Sequence, residues 1–311
     1  MSPRFLPIHL FVALVCLVQV SLNAQQEAMP VSVEGVAKIN PTTVEVRLNE
    51  DRRMFFDFYG EDVFRWFRDD QGGVVRDPEA KPAAQILVAQ PRESVGELLV
   101  DDRDGKVIIR STEVEISVDK ASGKVSVMDL RTGKVTLEEL ATAKFQEKRV
   151  GLTLSEKKDE YFYGGGVQNG RFSHKGKIIA IENQNSWTDG GVASPNPFFW
   201  STRGYGVMWH TFKKGRYDFG ATTEGEVHLS HETGYLDVFV VVGKTPAALL
   251  QSYFQLTGKP VLLPKFGFYL GHLNAYNRDY WAEAEEEGQG VLFEDGKRYK
   301  ESQKDNEGIK E

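Results

Sequence analysis

From Val31 onward the chain runs in short stretches whose apolar and polar residues alternate, each broken by turn residues. "TTVEVRL" from Thr42, "MFFDFYG" from Met54 and "KVIIRSTEVEISVD" from Lys106 have the two-residue period of strands with one face buried and one solvated. Between strands, "DDRDGK" from Asp101, "DKASGK" from Asp119 and "RTGK" from Arg131 put glycine where a tight reversal needs a positive φ. "LEELATAKFQEK" from Leu137 reads as moderately helical, and equally as a strand with a charged flank. The alternation resumes in "KIIAIENQ", "FFWSTRGYGVMWHTF" and "GEVHLSHETGYLDVFVVVG". Strand after strand with almost no helix predicts a mostly β chain folded as a sandwich.

The texture changes at "TPAALLQSYFQLTG". Thr245 is placed as an N-cap, Pro246 as the first helical residue and Gly258 as the stop, with apolar residues at helical spacing between them. "KPVLLPKFGFYLGHLN" follows, and its continuous apolar run "FGFYLG" has the form of a strand buried on both faces in a parallel sheet. Beyond Trp281 the last thirty residues hold ten acids and five bases, with little apolar periodicity, and read as solvated chain. This shift in composition places a domain boundary near Pro260 to Pro264.

At the other end, Arg4 precedes the apolar run "FLPIHLFVALVCLVQV", which closes on "SLNA" before Gln25. That order is the signature of a secretory signal peptide, and the run is short for a membrane span of about 20 apolar residues. Stable membrane insertion is therefore not expected, with an uncleaved anchor as the alternative. Cleavage would remove the single cysteine, Cys16, so a periplasmic or extracellular location must be met without disulfides. It would also remove one arginine and no acid, taking the net charge from -7 to -8. An acidic chain of this kind is a poor partner for nucleic acid.

Three segments carry a resemblance. "YFYGGGVQNGRF" from Tyr161, "NSWTDGGVASPNPFFWSTRGYGVMWH" from Asn185 and "GKTPAALLQSYFQLTGKPVLLPKFGFYLG" from Gly243 together resemble glycoside hydrolase family 31, the retaining α-glycosidases and related transglycosidases. The likeness is close from Tyr161 to Tyr280 and one of pattern only from Val31 to Val150. After the leader at 1–24, it implies a galactose-mutarotase-like β-sandwich at 25–260 and at 261–311 the start of a (β/α)8 barrel, in which such enzymes carry their chemistry. The family's nucleophile and acid/base are aspartates placed after the middle barrel strands. Retaining hydrolysis needs two carboxyl groups about 5 to 5.5 Å apart, and no local spacing in this chain defines such a pair. The expectation is thus the N-terminal part of an exported enzyme acting on α-linked glycosides, inactive by itself.

The resemblance also implies sugar contacts. Asp189, in "SWTDGG", is on a loop that in this family reaches the sugar beyond the cleaved bond. A carboxylate there accepts hydrogen bonds from vicinal hydroxyls, and Trp187 offers an apolar face; an Asp-Gly turn beside a half-buried tryptophan is the plainer reading. His272 and Asn274 leave the "FGFYLG" strand on one side and Tyr276 follows in the loop, where first-strand residues line the substrate pocket. A core histidine is the plainer alternative for His272. "GHLNAYN" departs from the commoner family pattern, which puts a glucose preference in doubt.

Other features read as structural. The glycines at 164–166 have no Lys-Ser/Thr after them and make a turn rather than a phosphate loop. His210, His228 and His231 fall on polar stretches of a β pattern without a ligand framework, so no metal and no cofactor is expected. Phe198, Trp200 and Trp209 read chiefly as sandwich core, with a carbohydrate-stacking platform as the lesser alternative. Arg203 reads as a structural donor. The rival to the enzyme reading is a non-catalytic carbohydrate-binding sandwich module, which has no reason to keep the apolar edge of "FGFYLG".

Overall fold

The computed structural model describes residues 30–70, 86–184, 186, 188–264, 280–284 and 290–302. The leader at 1–24, the strand expected at "FGFYLG", and Trp187, His272, Asn274 and Tyr276 lie outside the described residues. The chain divides into two units, residues 1–259 and 260–311.

In the first unit the alternating runs become strands. Four open it: β1 (Val33–Asn40), β2 (Thr43–Leu48), β3 (Arg53–Phe58) and β4 (Val63–Arg68). Six follow: β5 (Leu99–Arg103), β6 (Lys106–Arg110), β7 (Val114–Asp119), β8 (Val125–Asp129), β9 (Lys134–Gln146) and β10 (Arg149–Ser155). Seven more precede the helix: β11 (Phe162–Gln168), β12 (Ile178–Ile181), β13 (Val192–Ser201), β14 (Tyr205–Trp209), β15 (Gly215–Phe219), β16 (Glu226–His231) and β17 (Leu236–Val242). Helix α1 (Pro246–Thr257) closes the unit.

These strands make two antiparallel sheets. The first runs β1-β2-β3-β4-β17-β14-β13-β11, and the second β12-β15-β16-β10-β9-β8-β7-β6-β5. Strands β5 to β10 form a meander, and its reversals fall at the expected glycines, with Gly105 at φ 80° and Gly133 at φ 66°. The segment from Leu137 that reads two ways is strand: it lies within β9, paired to β8 and β10.

Inward residues of both sheets share one core. Phe56, Phe64, Trp66, Val238 and Val240 from the first sheet join Val107, Ile116, Leu152, Phe219 and Leu229 from the second, as in a face-to-face sandwich. The sequence predicts one solvated face for "MFFDFYG", yet β3 is buried on both faces from Met54 onward, and β4 and β17 are buried throughout. For β4 and β17 the reason is a second apolar layer on the back of this sheet. Leu249 and Leu256 of α1 pack there with Tyr59, Val63, Phe198, Met208, Phe239 and Val241. Burying each leucine contributes roughly 1.5 to 3 kcal/mol.

The helix starts and stops as its sequence predicts. Thr245 accepts a hydrogen bond from the Ala248 N–H, Pro246 occupies the first turn, and Gly258 ends it by donating to the Phe254 carbonyl. Among the described residues no helix is long and apolar enough to cross a membrane.

The second unit holds a small antiparallel sheet of β18 (Tyr280–Glu283), β19 (Val291–Leu292) and β20 (Arg298–Ser302), in the order β18-β20-β19. The tail read as solvated thus carries a small sheet, and its residues 290–297 are exposed. Its signal is weak because β19 is two residues long, with both side chains exposed.

Candidate functional site

Strands β11 and β13 build the site. They pair through two register shifts, between Gly164 and Gly166 and between Val167 and Gln168. The run of glycines permits this approach: a Cβ on Gly166 would stand 2.1 Å from the Ser194 carbonyl oxygen, and one on Gly164 would stand 2.7 Å from that of Phe198. The glycines at 164–166 thus serve a backbone contact within a strand.

The same pairing sets Tyr163 opposite Trp200. Their rings stack with centroids 4.5 Å apart and planes 23° from parallel. Phe172 meets Tyr163 edge-on at 5.5 Å and is 87% exposed. Together with Gly164, Arg171 and His174 these rings line a cavity of about 600 Å³, within the usual range for small-molecule sites. Pro246, at the start of α1, and Thr202 complete the lining.

Polar groups at this cavity are held by the backbone. Arg171 donates to the Ile178 carbonyl at 2.6 Å, and the Thr202 hydroxyl accepts from the Tyr161 N–H at 3.0 Å. His174 is buried, stacks on Phe219 and contacts the Gly164 carbonyl through Nε2 at 2.8 Å. Burial pushes its pKa down, against the pull of that hydrogen bond. Neutral His174 therefore donates from Nε2, and Nδ1 is a buried acceptor without a partner among the described residues.

Asp189 lies on the adjoining loop and is exposed. The loop is tied to the turn after β11, with the Gly190 N–H donating to the Asn169 carbonyl at 2.8 Å and the Asn169 N–H to the Gly191 carbonyl at 3.0 Å. Asp189 Oδ1 lies 2.8 Å from where a Gly170 Cβ would be, and the Arg171 guanidinium is 3.2 Å from the corresponding point on Gly190. Asp189 thereby sits against the turn at Gly170, next in sequence to the cavity residue Arg171, and does not itself line the cavity. Tyr163, Arg171, Phe172 and His174 are not among the residues the sequence singles out. Their only signal is the aromatic and basic composition of "YFYGGGVQNGRFSHKG", and nothing local shows that Tyr163 meets Trp200.

The remaining sequence assignments sort cleanly. Phe198 and Trp209 are buried, whereas Trp200 is only partly so and faces the cavity. Arg203 donates to the Val135 carbonyl at 3.0 Å. The histidines are dispersed: His210 contacts Asp237, His228 contacts Thr153, and His231 contacts Tyr217. Placing His231 on a polar stretch is wrong, since β16 turns Val227, Leu229 and His231 to its buried face.

Two large antiparallel sheets with a capping helix and an aromatic-lined cavity at the β11–β13 edge define a β-sandwich. Residues 53–218 match the glycosyl hydrolase 31 N-terminal galactose mutarotase-like domain, and the chain belongs to glycoside hydrolase family 31. It is 32% identical to an α-xylosidase of Emericella nidulans over 137 residues, which cover 43% of this chain and 18% of that protein. It is 25% identical to α-glucosidase 2 of Bacillus thermoamyloliquefaciens over 246 residues, 74% of this chain and 30% of the relative. Among solved structures, the family 31 dextranase of Flavobacterium johnsoniae superposes with a TM-score of 0.68 at 18% identity, over 76% of this chain and 29% of that one. The chain thus spans less than a third of the length of each of these relatives.

Proposed function

We propose that this chain supplies the substrate-positioning sandwich of an exported enzyme that hydrolyses or transfers α-linked glycosides. The observation that carries the reading is the family domain over residues 53–218. The relatives named α-xylosidase and α-glucosidase favour O-glycosidic substrates. Asp189 accepts hydrogen bonds from substrate hydroxyls, for which an exposed carboxylate on a loop pinned at both ends is suited.

Bond cleavage is assigned outside residues 30–259. In the sandwich, three of the buried carboxylates are engaged by their neighbours: Asp57 by Arg92 and Thr43, Asp237 by Arg65, and Glu160 by Ser201. None of these is placed as a free acid opposite a free nucleophile, the arrangement that retaining hydrolysis requires.

The test is an assay of the complete gene product on p-nitrophenyl α-xyloside and α-glucoside. Aglycone release with retention of anomeric configuration is expected, with Asp189→Ala raising KM. Cleavage confined to β-glycosides would overturn the reading, and aglycone release by residues 30–259 alone would overturn the division of labour. Export is checked by N-terminal sequencing of secreted protein, which should begin at Gln25.

A further inference from the structure

We infer that the cavity between the Tyr163–Trp200 stack and the turn carrying Arg171 and Phe172 is a carbohydrate subsite of the sandwich itself, taking a pyranose ring of an α-linked oligosaccharide. The inference rests on the function proposed above, and it adds a place and a ligand contact that the Asp189 assignment does not contain.

The first argument is the wall. Tyr163 and Trp200 are directly opposed across β11 and β13, so their stack is set by the sheet register before any ligand arrives. A preformed wall loses little entropy on binding. Phe172 extends the wall outward, and its 87% exposure is unusual for a residue type that is most often buried. A lone exposed phenylalanine needs no explanation, but one that meets Tyr163 edge-on at 5.5 Å at a cavity rim continues a surface.

The second argument is the polar complement. A pyranose ring presents an apolar C–H face and a rim of hydroxyls that both donate and accept. Arg171 has five N–H donors, and the Ile178 carbonyl accepts from one of its nitrogens. The Thr202 hydroxyl adds a group that can accept to the same lining. One guanidinium among aromatic rings suits a neutral polyol better than a phosphate, which calls for a cluster of cations or a nest of backbone N–H groups. At about 600 Å³ the cavity is larger than a lone water site and lies in the range of small-ligand pockets.

The experiment is titration calorimetry of the 311-residue chain with isomaltotriose and maltotriose. A Kd of about 1 mM or tighter is expected. Phe172→Ala should weaken it at least about fivefold, while the control Phe212→Ala, on a phenylalanine that is 64% exposed and does not line the cavity, leaves it unchanged. Trp200→Phe should diminish the ligand-induced change in tryptophan fluorescence. Affinity lost in Asp189→Ala but kept in Phe172→Ala overturns the subsite and leaves the proposed function standing. Absence of binding by the wild-type chain also overturns the subsite, while the glycosidase assay decides the function separately.

Discussion

Arg65 on β4 and Asp237 on β17, 172 residues apart in sequence, meet fork to fork with both nitrogen–oxygen distances at 2.7 Å. Both side chains are buried, and His210 adds a third contact to Asp237 through Nδ1 at 3.0 Å. Burial alone would push the Asp237 pKa up, but the hydrogen bonds and charge of Arg65 outweigh it and hold the carboxyl below its usual range.

Removing that carboxylate strips Arg65 of both bonds inside an apolar layer. Asp237→Ala is expected to cost about 3 to 5 kcal/mol, read by chemical denaturation. The exposed pair Arg103–Asp101, with side chains 60% and 45% accessible, is the control, and Arg103→Ala should change stability by less than about 1 kcal/mol.

His231 predicts acid sensitivity. It is enclosed, contacting the Tyr217 hydroxyl through Nε2 at 2.9 Å and the Lys213 carbonyl through Nδ1 at 2.9 Å. Burial pulls its pKa down to about 4. The unfolded chain therefore binds its proton first, so stability falls as pH drops from about 6.5 toward 4, by up to about 3 kcal/mol. Denaturation midpoints of the wild type and His231→Phe across that range check this, and the variant should show the flatter profile.

Glu139 predicts the opposite slope. Burial raises its pKa to about 8, against the Val125 N–H and the charges of Arg68 and Lys124. The folded state holds this proton more tightly than the unfolded chain, so its contribution is full below about pH 4.5 and is lost as pH rises through 8. Glu139→Gln keeps an acceptor for the Val125 N–H and has no proton to lose. It is expected to be more stable than the wild type by at least about 1 kcal/mol at pH 8 to 9, a difference that vanishes near pH 5.

Two glycines of similar φ separate strain from crowding. Gly105, at φ 80°, has nothing within 4 Å of an added Cβ, whereas Gly166, at φ 79°, has the Ser194 carbonyl at 2.1 Å. Gly105→Ala should cost only the left-handed conformation, about 1 to 2 kcal/mol. Gly166→Ala must also part β11 from β13, and a thermal melt should show the larger loss. Oligosaccharide binding should fall with it, because the Tyr163–Trp200 wall depends on that pairing.

Much of the scaffold was legible in local pattern. The reversals at Gly105 and Gly133 and the cap residues of α1 act within four or five residues of themselves, so each can be read where it stands. The cavity at the β11–β13 edge was not legible. Tyr163 and Trp200 lie 37 positions apart and meet only through a register that two irregularities in β11 have shifted. The two-sided burial of β4 and β17 was equally hidden, since alternation marks one apolar face and cannot tell whether α1 will cover the other.

The sequence by itself determined the mostly β class, the turns, helix α1 and the family, because backbone periodicity, φ preferences and motif identity are properties of neighbouring residues. Only the tertiary structure decided that Arg65 faces Asp237, that His231 is sealed inward, and that three aromatic rings and an arginine surround one cavity. Those relationships come from strands distant in sequence that are brought together by the sheet order, and the energy that selects it is shared across the whole sandwich core.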